Sequence, residues 1–155
     1  MAFEAGDQAP DFSLENQNGE LKTLSSYAGQ YLVVYFYPKD NTPGCTKEAC
    51  TFRDTIATFT DKNVAVVGVS KDSAKAHTNF IAKYELPFDL LVDKELEMMQ
   101  AYDCWKEKKN YGKTYMGCVR STVLIDPQGK VVKHWATVKK AETHPLEVLE
   151  LVNSL

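Results

Sequence analysis

Three short apolar runs limit the folds available to this chain. YLVVYFY at 31–37 is almost continuously apolar and rich in β-branched and aromatic residues, which is typical of a strand buried on both faces. VAVVGVS at 64–70 and RSTVLID at 120–126 have the same character. A sheet of such strands needs a layer of structure against it, so the sequence predicts an α/β layered sheet.

The apolar spacing changes from strand-like to helical between these runs. Apolar residues from Cys45 to Phe59 recur on one face of a helix. A second helix is predicted around 77–84, ending before Leu86-Pro87. A third is predicted over 146–155, with Pro145 in its first turn.

Two turn signals predict hairpins at the ends of the chain. Asn18-Gly19 separates the runs FSL and ELKTL, which predicts an N-terminal hairpin. The turn at 126–129 leads into KVVKHWA, which predicts another. No repeat, low-complexity tract or Pro/Ser-rich linker interrupts the 155 residues, so a single domain over 1–155 is expected.

Composition and charge narrow the class of partner. The net charge of -3 gives no general attraction to nucleic acid or to an anionic membrane. No apolar stretch approaches the roughly 20 residues that span a bilayer. The opening MAFEAGDQAPDF has three acids and no apolar run, so no export signal is expected. The four cysteines are therefore expected in a reducing cytoplasm, where they serve catalysis, redox sensing or metal binding.

Cys45 is the first candidate for chemistry. It lies where a loop that follows a buried strand enters a helix, and ligands bind at this edge of open α/β sheets. The unpaired N–H groups and positive end of a helix stabilise a thiolate. Cys45 also lies on the apolar stripe, so it is expected to be recessed, and a plain core cysteine is the competing interpretation.

Cys50 follows Cys45 by five residues. On one helix that spacing puts the two Cα atoms about 8.7 Å apart, whereas a disulfide spans at most about 7 Å. The two thiols cannot bridge without local unwinding, so the pair is either incidental or a switch.

Other site chemistries find little support. The cysteine spacings and the three histidines form no zinc-ligand pattern, and no Gly-rich phosphate loop is present. No metal and no cofactor are expected. The basic run WKEKKNYGK at 105–113 is interpreted as a solvated loop.

The stretch around Cys45 resembles the active-site loop of the peroxiredoxins, and within them the group called bacterioferritin comigratory protein or peroxiredoxin Q. The family pattern Pro-x-x-x-Thr/Ser-x-x-Cys corresponds to Pro38, Thr42 and Cys45 in YPKDNTPGC. GDQAPDFSL resembles the family's N-terminal signature, and GKTYMGCVRSTVLID resembles the segment that supplies its active-site arginine, here Arg120. The resemblance runs from about residue 4 to the C-terminal helix.

The resemblance implies a thioredoxin fold, with a central mixed sheet flanked by helices on both faces, and a thiol-dependent peroxidase activity. Cys45 would attack a peroxide as the thiolate and become a sulfenic acid. Thr42 would orient the peroxide, and Arg120 would stabilise the charge that develops on it. The N–H groups of Gly44 and Cys45 would be further donors.

The resemblance also suggests two supporting roles near the thiol. Pro38 would shield the pocket from water. Glu48 would either cap the helix N-terminus or organise the pocket.

The resemblance also gives Cys50 a role as the resolving thiol. After the first helical turns open, it would form a disulfide with Cys45 that thioredoxin or a similar dithiol carrier reduces. The substrates would be hydrogen peroxide and organic hydroperoxides, and an intramolecular resolver favours a monomer.

Cys104 and Cys118 lie outside this scheme, as bystanders or as substitute resolvers. If the strand containing Arg120 begins by residue 118, alternation places Cys118 and Arg120 on the same face, so that Cys118 borders the site.

Two alternatives use similar chemistry. A non-catalytic peroxide sensor or thiol-switch binding module would use the same Cys45–Cys50 pair, but would react stoichiometrically and pass the unfolding to a partner. A thioredoxin-like disulfide reductase is disfavoured because the chain has no Cys-x-x-Cys, and because Thr42 and Arg120 would then have no task.

Overall fold

A computed structural model describes residues 4–155, and the first residues of the stretch used above to exclude an export signal lie outside that range. Its strands are β1 (Ser13–Glu15), β2 (Leu21–Thr23), β3 (Tyr31–Phe36), β4 (Val64–Ser70), β5 (Leu90–Val92), β6 (Trp105–Asn110), β7 (Lys113–Cys118), β8 (Ser121–Ile125) and β9 (Val131–Trp135). Seven of these strands form one mixed sheet in the order β2-β1-β5-β4-β3-β8-β9, and β6 pairs with β7 in a separate two-stranded sheet.

The helices are α1 (Pro43–Asp61), α2 (Ala74–Tyr84), α3 (Glu97–Ala101) and α4 (His144–Asn153), with a 3₁₀ turn at Leu24–Tyr27. The three helices predicted from apolar spacing are therefore confirmed. Pro43 and Pro145 lie in the first turns of α1 and α4, where a missing N–H costs no hydrogen bond. Leu155, predicted to extend the third helix, lies beyond its end and is exposed.

Alternating side chains of the central strands divide the core into two layers. Val33, Tyr35 and Tyr37 face one side, where they join buried residues of α1, α2 and α4. The intervening residues of β3 face the other side, where α3 and the N-terminal segment cover the sheet. Helices thus lie on both faces, as predicted, with the three longest on one face.

The parallel core of the sheet brings the ends of two distant strands together. β3 runs parallel to β4, β4 runs parallel to β5, and β8 runs antiparallel to β3 with Phe36 opposite Ser121. The carboxyl end of β3 therefore lies beside the start of β8, and the loop into α1 leaves from that edge.

Both predicted hairpins are confirmed. β1 and β2 pair antiparallel and extend the sheet through Glu15 and Val92. β8 and β9 pair antiparallel across the turn at 126–129, with a register shift between Leu124 and Ile125.

The prediction of a solvated loop at 105–113 is wrong in its structure, although the segment is exposed to solvent as expected. Residues 105–118 form the β6–β7 hairpin, with Lys106 opposite Gly117 and Lys109 opposite Thr114. Most of its side chains are exposed, so the apolar alternation that marks a half-buried strand is missing.

None of the helices within residues 4–155 has the length and apolar character needed to span a bilayer.

Gly68 allows the ring of Tyr35 to lie across its neighbouring strand. The two residues are partners in the β3–β4 register, and a Cβ built on Gly68 would lie 2.9 Å from Tyr35 Cζ and 2.8 Å from Leu90 Cδ2. Replacing Gly68 with Ala must therefore displace buried side chains. We expect Gly68→Ala to lower the free energy of unfolding by about 1–3 kcal/mol, as measured by urea denaturation.

Gly117→Ala is the matched control for this change. It also places a methyl group in a strand, but the nearest atom is the Cδ of the flexible Lys108 side chain. A change of at most about 0.5 kcal/mol is expected there. Equal losses of unfolding free energy in the two variants would show that overpacking at Gly68 is not the cause of the loss.

Candidate active site

Cys45 lies in the first turn of α1, close to the carboxyl end of β3. Thr42 is the N-cap, and the first intrahelical bond runs 2.8 Å from Thr46 N–H to the Thr42 carbonyl. Within the part of the chain that the structure describes, the N–H groups of Gly44 and Cys45 have no hydrogen-bond partner. Cys45 is only 1% exposed, so its thiol is recessed among donors, as predicted.

Arg120 reaches the thiol from the start of β8. Its Nη2 lies 3.3 Å from Cys45 Sγ, although the two residues are 75 positions apart in sequence. The strand pairing explains this approach, because Phe36 at the end of β3 lies opposite Ser121. The guanidinium is a permanent cation with several donors, so it can stabilise both a thiolate and an oxygen that gathers negative charge.

Glu48 fixes the other side of the same guanidinium. Arg120 Nη1 donates to Glu48 Oε1 over 2.7 Å, and the Glu48 side chain is fully buried. Burial raises the pKa of Glu48 from 4.5 to about 7, and it outweighs the opposing effect of Arg120. Glu48 therefore contacts the pocket arginine, and the N-cap of α1 has no side-chain hydrogen bond.

Thr42, Pro38 and Gly44 border the thiol along the chain. The Thr42 hydroxyl donates to the Lys39 carbonyl over 2.9 Å, so its lone pairs remain available to accept a hydrogen bond. Pro38 is half-buried in the preceding loop. A Cβ on Gly44 would lie 3.2 Å from Arg120 Nη2, so the glycine leaves room for the guanidinium.

Cys50 lies two turns after the start of the same helix. It is partly exposed, and all four cysteines are free. Because α1 is continuous from Pro43 to Asp61, regular helix geometry keeps the Cα atoms of Cys45 and Cys50 about 8.7 Å apart. A bond between them therefore requires the first turns to unwind.

The prediction that Cys118 borders this site is wrong. Cys118 ends β7, and residues 119–120 separate it from β8, so no continuous strand carries Cys118 and Arg120 on one face. Cys118 and Cys104 lie together in the core on the opposite side of the sheet from Cys45. The interaction of Cys104 with Cys118 raises the pKa of the Cys104 thiol, and burial raises it further.

The sequence analysis missed two neighbours of the site. The hydroxyl of Tyr35 is buried without a hydrogen-bond partner, and burial and then Glu48 raise the pKa of Tyr35 well above its usual value. Burial and then Arg120 lower the pKa of His144 to about 4, and its Nε2 lies 2.8 Å from Thr122 Oγ1. Strand alternation could have placed Tyr35 on the face of α1, whereas nothing in the sequence links His144 to Arg120.

Within residues 4–155, no group of three or more His, Cys, Asp or Glu residues is arranged to hold a metal ion.

Similarity to known proteins identifies the family of this chain. Residues 5–134 match the AhpC/TSA family. Peroxiredoxin Bcp of Bacillus subtilis is 48% identical over all of this chain and 98% of its own length, and that of Escherichia coli is 40% identical over 92% and 91%. The solved structure of a Cys-to-Ser mutant of Xylella fastidiosa PrxQ matches with a TM-score of 0.93 at 38% identity, over 99% of this chain and 98% of that one.

The chain therefore belongs to the AhpC/TSA family and is a peroxiredoxin, an enzyme of the thiol peroxidase class with a thioredoxin fold. Within the family, its relatives are the Bcp and peroxiredoxin Q proteins, which is the group predicted from the active-site loop.

The raised pKa of Glu48 makes stability depend on pH. Between pH 4.5 and about 7 the folded protein holds a proton on Glu48 that the unfolded chain has lost, so this contribution to stability falls as pH rises through that range. Glu48→Gln keeps a hydrogen-bond acceptor for Arg120 but cannot titrate. The stability of the wild type relative to Glu48→Gln should be greater at pH 4.5 than at pH 8, by about 3 kcal/mol.

Urea denaturation at the two pH values measures this difference. Glu150→Gln, which changes an exposed glutamate of α4, serves as the control and should keep the pH profile of the wild type. A Glu48→Gln profile that also follows the wild type would show that Glu48 does not titrate in this range.

Proposed function

We propose that the chain reduces hydrogen peroxide and organic hydroperoxides to water and alcohols, with Cys45 as the peroxidatic thiol and Cys50 as the resolving thiol. The observation that carries the proposal is the Cys45 thiol at a helix N-terminus, 3.3 Å from a guanidinium that Glu48 holds in place. The solved structure of a Xanthomonas campestris bacterioferritin comigratory protein, 41% identical over 92% of this chain, is described in terms of alkyl peroxide reduction activity.

The first step forms a sulfur–oxygen bond and breaks the oxygen–oxygen bond. The Cys45 thiolate attacks one peroxide oxygen and is oxidised to a sulfenic acid, and the other oxygen leaves as an alkoxide or hydroxide that takes up a proton. Arg120 and the free N–H groups of Gly44 and Cys45 are placed to stabilise the charge on the leaving oxygen. The Thr42 hydroxyl, which already donates to Lys39, can accept the hydrogen of the peroxide. Pro38 would limit the access of water.

The second step joins the two thiols of α1. Cys50 attacks the sulfenic sulfur, a disulfide forms, and the sulfenic oxygen leaves as water. The first turns of the helix must open for this step, and helix ends open at low free-energy cost. Cys104 and Cys118 lie on the other side of the sheet, which supports Cys50 as the resolver.

The third step returns the enzyme to its reduced form. We infer that thioredoxin or a similar dithiol carrier reduces the disulfide, since two electrons are needed for each peroxide. A disulfide within one chain requires no second subunit, which supports a monomer. A cycle that returns through a dithiol carrier requires a reducing compartment, and we infer that this is the cytoplasm.

Turnover separates a peroxidase from a stoichiometric sensor. With thioredoxin, thioredoxin reductase and NADPH, the wild type should consume many equivalents of hydrogen peroxide, followed by NADPH absorbance. Cys45→Ser should fall to the uncatalysed background because the attacking thiolate is lost. Cys50→Ser should still consume one equivalent but turn over far more slowly.

Consumption of a single equivalent by the wild type, even with several dithiol carriers, would favour the sensor over the enzyme.

A non-reducing tryptic map identifies the resolving thiol. After one equivalent of hydrogen peroxide and alkylation of free thiols, we expect the peptides DNTPGCTK (40–47) and EACTFR (48–53) to appear cross-linked. The reduced protein is the control and should show none. A link from Cys45 to Cys104 or Cys118 would exclude Cys50 as the resolver, and an unmodified Cys45 would contradict the proposed chemistry.

A further inference from the structure

A buried hydrogen-bond chain ties the active-site loop to α2. Asp40, in the loop between β3 and α1, accepts a 2.6 Å bond from the Tyr37 hydroxyl at Oδ1, and its Oδ2 lies 2.7 Å from His77 Nδ1. The other ring nitrogen of His77 lies 2.9 Å from the carbonyl of Leu91 on β5. Asp40 is 8% exposed and His77 is fully buried, so water does not compete for these bonds.

The geometry fixes where the protons of His77 lie. A carbonyl oxygen can only accept, so Nε2 of His77 carries a hydrogen and donates to Leu91. With Nδ1 against Asp40 and Nε2 against Leu91, both polar ends of the imidazole are satisfied within the core.

The hydrogen-bond chain from Tyr37 through Asp40 to His77, called the tether below, acts at the start of the segment that carries Cys45. Asp40 lies five residues before Cys45, and its own N–H donates to Asp72 over 2.8 Å. The next residue, Asn41, has a φ of 59°, and its side-chain oxygen accepts bonds from Lys83 and Tyr84 at the end of α2. The backbone just before α1 is thus held from the side of α2.

We propose that His77 is a positioning residue for the peroxidatic thiol, acting through Asp40. Its ring nitrogens bond to Asp40 and Leu91, not to Cys45 or Arg120, and through Asp40 it fixes the loop that sets where α1 begins. The inference rests on the proposed function of Cys45, because positioning has a catalytic consequence only if that thiol reacts with peroxide. A small displacement of reacting groups can cost orders of magnitude in rate.

The tether also limits how far the chain can open. Downstream of Cys50, the Thr51 hydroxyl donates to the Glu142 carbonyl over 2.7 Å. Asp40 and Thr51 therefore hold the two ends of the segment 41–50, which contains both thiols. Unwinding that joins Cys45 to Cys50 can be confined to this segment while both ends stay in place.

Two substitutions at His77 separate positioning from general stability. Asn can place its amide nitrogen near the position of Nδ1 and keep the bond to Asp40, while it loses the bond to Leu91. Gln can place its amide nitrogen near Nε2 and keep the bond to Leu91, while it loses the bond to Asp40. Each variant loses one buried hydrogen bond, but the bond to the Asp40 carboxyl group costs more to lose than the bond to the Leu91 carbonyl. The thermal midpoint of His77→Gln should therefore fall further, and both variants are compared at a temperature well below either midpoint.

Single-turnover oxidation of Cys45 by hydrogen peroxide, quenched with a sulfenic-acid trap, gives the first readout. We expect His77→Asn to react within about threefold of the wild type and His77→Gln to react at least about tenfold more slowly. Hydrogen exchange of the reduced proteins gives the second. Amides in residues 41–50 should exchange faster in His77→Gln than in His77→Asn.

Equal behaviour of the two variants, whether both slow or both unchanged, would overturn the proposal. Hydrogen exchange does not depend on peroxidase activity, so it still decides the tether if the wild-type Cys45 fails to react and the proposed function falls. If neither His77 variant folds, Tyr37→Phe removes the hydroxyl bond to Asp40 and leaves the aromatic ring in place. Faster exchange at 41–50 in that variant would support the tether, and an unchanged rate would overturn it.

Discussion

The buried ion pair between Arg120 and Glu48 joins the two parts of the chain that build the active site. Glu48 belongs to α1, whereas Arg120 precedes β8, and their 2.7 Å contact fixes the helix against the strand. Removing Arg120 would leave the fully buried Glu48 carboxyl group without this hydrogen-bond donor. Because Glu48 occupies only Nη1, the Nη2 group of Arg120 remains directed at Cys45.

The contacts of Arg120 also link the environment of the Cys45 thiol to the conformation of α1. Cys45 and Glu48 lie in the first two turns of α1, so unwinding those turns takes both away from Arg120. In the proposed cycle, the folded site in which Cys45 would attack peroxide is therefore not the state in which Cys50 would reach Cys45. Such a cycle requires a helix that is stable enough to hold the thiol against Arg120 and weak enough at its start to open, which is the usual condition of a helix end.

The main strands and helices could be predicted because their burial patterns are local. β3 and β4 are almost entirely apolar, and the stripe of α1 repeats over four turns. β5 has three residues and α3 has five, which is too short for a period to appear. The β6–β7 turn uses Tyr111 and Gly112, with φ values of 52° and 76°, a left-handed pair that Asn-Gly usually marks.

The residues of the site likewise divide into those that a local motif indicates and those that only the assembled fold brings together. Thr42, Gly44, Cys45 and Glu48 are close in sequence, so a short motif contains them all. The contacts of His77 arise only when the sheet and α2 assemble, and nothing local indicates them. For Tyr35, strand alternation indicates the face of the sheet but not the contacts. The placement of Cys118 failed because it assumed one strand through residues 118–120, whereas the chain changes sheets there.

The β6–β7 hairpin has a consequence for association between copies of the protein. It forms its own two-stranded sheet, with Tyr111, Tyr115 and Met116 exposed, and open strand edges beside apolar side chains invite pairing with other chains. Lysines are concentrated along the same strands, at positions 106, 108, 109 and 113. Charge repulsion between lysine-rich edges opposes that pairing, so the basic run works as protection against aggregation.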